Sequence, residues 1–175
     1  SAAMLVSLVL VPLTVTAAPP PEPTVEYSAD STMETEGGMT MKSRVYHTPT
    51  KQRMEMGGAD GSVTIIRKDK KVVWQVMGDM YMEMPLDQSN APDMGGFDIQ
   101  EQTEVGEETV NGLKTTKTKI VATKPDGSKF GGFFWTTKEG VTVKMDLLSK
   151  DGDKKMRMAS ELTNVKIEKQ NPALF

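Results

Sequence analysis

Methionine is the residue whose number and spacing most clearly indicate a special surface in this sequence. The 175 residues include 14 methionines and no cysteine. Several methionines are two residues apart in segments of strand-like composition, and that spacing places both side chains on one face of a strand. We therefore predict that four strands each contribute methionines to one surface of a sheet. These methionines are Met39 and Met41, Met54 and Met56, Met80, Met82 and Met84, and Met156 and Met158.

Three interpretations of the methionine surface stay open. In the first, methionine fills an ordinary core. In the second, it lines an adaptable apolar groove, because its unbranched, polarisable side chain accepts varied apolar partners. In the third, the thioethers bind Cu(I) or Ag(I), which prefer soft ligands. The third is the weakest, since the chain has one histidine and no cysteine to complete a site.

Residues suited to catalysis are few and poorly placed. His47 stands beside Thr48 and Pro49 at the end of a predicted strand, which is the context of a turn or surface residue. Glu107 and Glu108 are adjacent, so in a strand they point to opposite faces and cannot easily share a proton. No serine has the G-x-S-x-G context of a nucleophile. We predict that the protein is not an enzyme and uses no cofactor.

The elements that position these residues are predicted to be strands. From Thr24 onward, apolar and polar residues alternate with a period of two, which indicates half-buried strands. Turn residues such as Asn111-Gly112 separate about eleven such segments. Short connections force antiparallel neighbours, and about ten strands is near the limit for an open twisted sheet. We therefore predict a mainly β protein built on one large, curled antiparallel sheet, or half-open barrel.

One stretch, from Pro85 to Glu101, departs from this strand pattern. It combines Asp, Asn, Pro and Gly residues with Leu86, Met94, Phe97 and Ile99. The stretch is too long and too apolar for a hairpin loop. We predict a loop or short helix that folds across the concave face as a lid, with Met94 and Phe97 facing the sheet.

Two further features predict packing and sheet shape. Trp74 and Trp135 both lie mid-strand, in segments that are apolar on both faces, which favours core positions over ligand stacking. Gly131-Gly132 lies inside a predicted strand, where glycine marks a bulge or a sharp bend. We expect the sheet to curl at this point.

The amino-terminal residues predict export from the cytoplasm. Residues 1–18 carry no charge, an apolar run extends from Met4 to Leu13, and small residues follow at positions 15–17. This is the pattern of a cleaved signal peptide. An uncleaved anchor is the alternative, although a membrane span needs roughly 20 apolar residues. We predict a signal remnant at 1–18, a proline-rich linker at 19–23 and one domain at 24–175.

Composition excludes several other classes of protein. Without cysteine there is no disulfide framework and no thiolate zinc site. The net charge is −3, and Lys and Arg are scattered along the chain. A nucleic-acid interface needs a basic face, so we predict no nucleic-acid partner.

The order of strands and a few short strings resemble those of a known family. The strings are Gly112–Lys117 after a hairpin, Phe134-Trp135-Thr136, and Asn171–Phe175 near the end. With the preceding strands, they resemble the LolA-like superfamily of periplasmic, lipoprotein-sorting-like proteins, and in character its methionine-rich, uncharacterised branch. The resemblance implies a half-open β-barrel whose apolar concave face, under a lid, handles acyl chains or other hydrophobic ligands in the periplasm. The chaperone members use more helical lid than the 86–101 segment offers, which puts lipoprotein trafficking itself in doubt.

These observations together predict a monomeric, periplasmic carrier that holds a lipid or acyl chain on the concave face of the sheet. A soft-metal binding protein and an envelope protein-interaction module are the alternatives. Where both faces of a strand are apolar, alternation does not fix which face points inward. The predicted ligand-binding residues are Met54, Met56, Trp74, Val76, Met80, Met82, Met84, Met94, Phe97, Phe134, Met145, Met156 and Met158.

Overall fold

Eleven strands form the described part of the structure, as the alternation predicts. The computed structural model describes residues 22–58, 61–89 and 98–175. The predicted signal remnant, most of the predicted linker, Met94 and Phe97 lie outside these ranges. None of the helices within them is long and apolar enough to span a membrane. The strands are β1 (Tyr27–Thr35), β2 (Thr40–Thr48), β3 (Lys51–Met56), β4 (Val63–Arg67), β5 (Val72–Met77), β6 (Met80–Pro85), β7 (Asp98–Val110), β8 (Leu113–Thr123), β9 (Lys129–Thr136), β10 (Thr142–Asp151) and β11 (Lys154–Ile167), with 3-10 turns at Leu86–Gln88 and Pro172–Leu174.

All eleven strands belong to one antiparallel sheet. Its order is β6-β5-β4-β3-β2-β1-β11-β10-β9-β8-β7. Strands that are consecutive in sequence therefore pair with each other, except that β6 and β7 do not pair and form the two edges of the sheet. The centre of the sheet is the β1–β11 pair, which runs from Tyr27 opposite Ile167 to Thr35 opposite Met158. The sheet therefore consists of two meanders, β1–β6 and β7–β11, joined along their first and last strands. Within the segment predicted as a lid, residues 98–101 are instead the start of β7.

The glycine pair in β9 does not form a bulge, one of the two predicted alternatives. The ladders of β9 with β8 and β10 run in register through Gly131 and Gly132, and the shifts lie elsewhere, for example between Thr142 and Lys144 of β10. Gly132 instead lets the two backbones approach closely. A Cβ atom added to Gly132 would lie 2.0 Å from the carbonyl oxygen of Asp146.

The pairing registers show which side chains share a face, because paired residues point to the same side of a sheet. The row through Met33 continues to Met41 on β2 and, on the other side, through Ser160 and Met145 to Phe134. Followed across the sheet, these registers place every methionine of the described strands on one face, which we call the inner face. They are Met33, Met41, Met54, Met56, Met77, Met80, Met82, Met84, Met145, Met156 and Met158.

The inner face also carries most of the buried apolar side chains. One cluster consists of Ile120, Ala122, Phe134 and Leu147, with Met145 and Met158 packed against it. A second cluster groups Tyr27 and Ala29 of β1 with Val141 and Val143. Side chains crowd together on the concave side of a curved sheet. This concentration of burial therefore indicates that the sheet curls toward its inner face.

Contacts of the segment that precedes β1 support the same curvature. The Glu22 carboxylate accepts a hydrogen bond from Lys68 Nζ at 2.8 Å, in the β4–β5 turn. The Thr24 amide donates to the Glu139 carbonyl at 3.0 Å, in the β9–β10 turn. These turns belong to different meanders, on opposite sides of the β1–β11 pair. Because three consecutive residues reach both turns, the two meanders curve toward each other.

The opposite face, which we call the outer face, carries the charged side chains of the strands. Ion pairs link Arg44 to Asp30 at 2.9 Å and Arg157 to Asp146 at 2.7 Å, each across neighbouring strands. Trp135 is buried on this face, where its indole nitrogen donates to Glu108 Oε2 at 2.6 Å. The outer face thus carries most of the charged side chains of the strands, whereas the inner face is mainly apolar.

Candidate hydrophobic-ligand site on the inner face

Most of the residues predicted to bind a ligand lie together on the inner face. The strand period of two, combined with the ladder registers, puts them in phase on five strands. The described structure therefore collects on one concave surface side chains that are scattered in sequence. They are Met54, Met56, Met80, Met82, Met84, Phe134, Met145, Met156 and Met158.

Two of the predicted residues lie on the outer face instead. Trp74 pairs with Ile65 and Glu83, and its indole nitrogen donates to Glu83 Oε2 at 2.5 Å. Val76 pairs with Tyr81 on the same face. Because strand β5 is apolar on both sides, alternation does not show which of its residues point to the inner face. Its registers with β4 and β6 show this instead. We therefore remove Trp74 and Val76 from the predicted lining, while Met94 and Phe97 lie outside the described residues.

The inner face includes Met33 and Met77, which the spacing pattern missed. Met33 pairs with Met41 across β1 and β2, and Met77 pairs with Met80 across the β5–β6 turn. Met39, which the pattern included, precedes β2 and lies in the β1–β2 turn. Cross-strand pairs of this kind leave no signal in local spacing, because their partners come together only through the register.

Charged residues are confined to the margins of the inner face. Side chains in phase with the methionines are otherwise methionine, aliphatic, aromatic, serine, threonine or glutamine, with the buried His47. Within the described strands, the exceptions flank turns or lie on the edge strand. They are the pair Asp151 and Lys154 beside the β10–β11 turn, Lys114 near the β7–β8 turn, and Glu104 and Glu107 on β7.

Several methionines of the inner face are open to solvent. Met80, Met82 and Met156 are 70%, 52% and 58% exposed, although such large apolar side chains are usually buried. Met54 and Met145 are half-buried beside them. The inner face therefore offers flexible thioether side chains to an apolar partner without unfolding of the core.

A cavity of about 350 Å³ opens on the inner face of β7, β8 and β9. Ile120 and Phe134 supply apolar surface, and threonine hydroxyls supply polar surface. Along the ladders, Phe134 lies beside Met145, and the row through Ile120 leads to Leu147 and Met158. The cavity is thus continuous with the methionine surface. Its lining residues are Gln102, Glu104, Thr116, Thr118, Ile120, Phe134, Thr136 and Thr137.

Of the residues that line this cavity, only Phe134 was predicted to bind a ligand, although the sequence carries a signal for the others. In the segment Thr116-Lys117-Thr118-Lys119, threonines alternate with lysines. Both residue types are polar, so alternation of polar and apolar residues does not distinguish the two faces of this segment. The distinction that matters is charge, because the lysines occupy the outer face and the uncharged hydroxyls line the cavity.

His47 is buried, contrary to the prediction of a turn or surface position. It lies on β2 at the inner face, is 7% exposed, and stacks on Tyr27 with ring centroids 5.0 Å apart. Its Nδ1 atom is 3.4 Å from the Val25 carbonyl oxygen. The segment that precedes β1 covers it, which local sequence context does not show. Burial lowers the pKa of His47.

This lowered pKa predicts a loss of stability in mild acid. Below the ordinary histidine pKa of 6.5, the unfolded chain takes up a proton that the folded chain does not. The free energy of unfolding should therefore fall as the pH decreases from 6.5 toward the lower folded-state pKa. Urea unfolding at about pH 7.5 and about pH 5 should show this decrease, and His47→Gln should reduce it. An equal decrease in the variant would contradict the assignment to His47.

Methionine sulfur atoms are the metal ligands that the described residues offer. In residues 22–58, 61–89 and 98–175, no group of three or more His, Cys, Asp or Glu side chains could hold a metal ion. Met33 lies directly opposite Met41, and Met77 lies directly opposite Met80, on neighbouring strands. Each pair brings two thioether side chains together. The soft-metal hypothesis therefore rests on methionine alone.

Comparison with known proteins identifies the fold. No family model and no curated protein matches the sequence. Among solved structures, MucB in complex with MucA(peri) has a TM-score of 0.54 at 14% identity over 86% of this chain and 54% of that chain. The MucA/MucB complex of Pseudomonas aeruginosa has 0.54 at 11% identity over 86% and 55%. A LolA superfamily protein from Nitrosomonas europaea has 0.47 at 9% identity over 87% and 90%.

The likenesses to the two MucB chains show a shared fold. The chain is an open, curled antiparallel sheet with an apolar concave face. It spans just over half of the MucB chains it matches. Membership of a methionine-rich branch stays a prediction.

Proposed function

We propose that this protein is a non-enzymatic carrier that holds a hydrophobic ligand, such as a lipid or an acyl chain, on its inner face in the periplasm. One observation carries the proposal: the strand methionines share one concave face whose charges are confined to its margins. A core that only stabilised the sheet would not leave Met80 and Met156 more than half exposed. The half-open cavity on β7–β9 adds concave space to the same face.

The physical basis is the transfer of an acyl chain from water to apolar side chains. Each buried methylene contributes about 0.8 kcal/mol, so a chain of about sixteen methylenes contributes roughly 13 kcal/mol. Association costs at the lower end of their range, about 4–5 kcal/mol, leave roughly 8 kcal/mol, which corresponds to a dissociation constant of about micromolar. Methionine suits this task because its flexible side chain repacks around ligands of different shape.

A second candidate function is the binding of Cu(I) or Ag(I). The observation that favours it is the Met77–Met80 pair, whose side chains flank the β5–β6 turn and are 45% and 70% exposed. Two accessible thioethers on facing strands are suitable ligands for a soft cation. The experiment that tests the carrier proposal, described next, also distinguishes it from metal binding.

The proposed function is tested on the full chain recovered from a periplasmic extract. Native mass spectrometry should show co-purifying lipid. After removal of the lipid, titration with the neutral fluorophore N-phenyl-1-naphthylamine should be saturable, with a dissociation constant of the order of micromolar. Bound copper without lipid would favour the second candidate. An empty protein that shows no saturable binding would contradict both.

A further inference from the structure

The cavity on β7–β9 differs from the rest of the inner face in chemistry. Its apolar surface comes from Ile120 and Phe134, but four threonines, one glutamine and one glutamate complete the lining. We propose that this cavity receives the polar end of an amphiphilic ligand and that this end carries an ammonium group. The inference rests on the proposed function and names the class of ligand for the same face.

The ladders arrange the polar groups of the cavity as a grid over three strands. Glu104 pairs with Thr118, which in turn pairs with Phe134. Thr116 pairs with Thr136 one row further along. Each hydroxyl both donates and accepts hydrogen bonds. A polar group placed above Phe134 is therefore surrounded by hydrogen-bonding partners.

Glu104 supplies the charge that selects the ligand. On the same strand, Glu101 is paired with Lys119 at 3.3 Å and Glu108 with Lys117 at 3.5 Å. Glu104 forms no ion pair with any residue of the described ranges, and those lysines occupy the outer face. The carboxylate of Glu104 thus adds an uncompensated negative charge to the cavity lining. An ammonium group complements it, whereas a carboxylate or phosphate headgroup is repelled.

The size and position of the cavity fit a headgroup better than a whole chain. Its volume of about 350 Å³ corresponds to on the order of ten water molecules. From the cavity, Phe134 leads to Met145, and Ile120 leads through Gly132 and Leu147 to Met158. A ligand whose ammonium group lies at Glu104 can therefore lay its chain along the methionines of β10 and β11.

The test compares three probes of equal chain length: dodecylammonium, dodecanol and dodecanoate. Each is titrated against the full chain by displacement of N-phenyl-1-naphthylamine, below the concentration at which it forms micelles. Dodecylammonium should bind about tenfold more tightly than dodecanoate, the order expected of an opposite charge in a half-open cavity. Added salt should reduce this ratio and leave dodecanol binding unchanged.

Glu104→Gln should lower the dodecylammonium-to-dodecanoate ratio to about twofold or less, while dodecanol binds as before. Glu107→Gln is the matched control, because Glu107 lies on the same strand and face but does not line the cavity. Its ratio should equal that of the unmodified protein. An unchanged ratio in Glu104→Gln, or equal binding of all three probes by the unmodified protein, would overturn the headgroup inference while groove binding stands. Failure of all three probes to bind would instead refute the proposed function.

Discussion

Replacing Gly132 by alanine should strongly destabilise the protein, whereas replacing its neighbour Gly131 should have a small effect. A Cβ atom at position 132 would lie 2.0 Å from the Asp146 carbonyl oxygen and 2.9 Å from the Leu147 Cα atom. Both are backbone atoms of β10, so no side-chain rotation relieves the clash. The nearest atom to a Cβ at Gly131 is the Ile120 carbonyl oxygen at 3.4 Å. The two glycines therefore form a matched pair in one strand.

The expected loss for Gly132→Ala is about 3 kcal/mol or more, at the upper end for overpacked cores. For Gly131→Ala it is about 1 kcal/mol or less. Urea unfolding followed by tryptophan fluorescence measures both, and a shifted midpoint with an unchanged slope would indicate a pure change in stability. If Gly132→Ala should fail to fold, soluble yield beside that of Gly131→Ala gives the same ranking. Equal losses in the two variants would show that the close approach of β9 and β10 is not what Gly132 provides.

Aspartate in place of a methionine on the inner face should weaken the binding of a hydrophobic ligand, whereas aspartate on the outer face should not. Met82 and Met156 are 52% and 58% exposed, so their replacement removes little of the core. A short charged side chain cannot bend away from a bound ligand as lysine does. Each substitution also removes a methionine side chain, whose full burial by a ligand is worth about 1.5–3 kcal/mol. We therefore expect Met82→Asp and Met156→Asp each to weaken binding of N-phenyl-1-naphthylamine roughly tenfold.

The chain offers matched controls for both variants. Tyr81 is 73% exposed and lies on the outer face of the same strand as Met82. Leu148 is 48% exposed and lies on the outer face of β10, next to the strand of Met156. Tyr81→Asp and Leu148→Asp should leave the dissociation constant within about twofold. Similar losses from both faces would place the binding surface elsewhere, and circular dichroism of all four proteins would identify any that had lost the sheet.

The strands were predictable because local patterns specify them. Alternation with a period of two, and turns such as Asn111-Gly112, locate most strands within a few residues. The methionine surface was predictable for the same reason, since i, i+2 spacing determines a common face within each strand. Alternation does not show which side chains point inward when a strand is apolar on both sides. Trp74 was placed on the wrong face because only the register of β5 with β4 and β6 decides its orientation.

Features that depend on distant parts of the chain were not predictable. The pairing of β1 with β11 joins residues that share no local signal. The burial of His47 depends on Val25 and the segment before β1, which cover a strand end that otherwise has the composition of a turn. The cavity needs three strands in register before its threonines and Glu104 come together. In each case the missing information is tertiary.

The central β1–β11 pair also determines the order in which this protein can fold. Within each meander, ladders connect neighbouring strands through short turns, so loop closure costs little entropy and these ladders form early. The β1–β11 ladder instead brings together Tyr27 and Ile167 from near opposite ends of the described chain. We therefore expect this ladder to form last, when the two meanders dock along β1 and β11. On that expectation, the methionines of the two meanders become one surface only at this step, and the competence to bind an extended ligand arises at the end of folding.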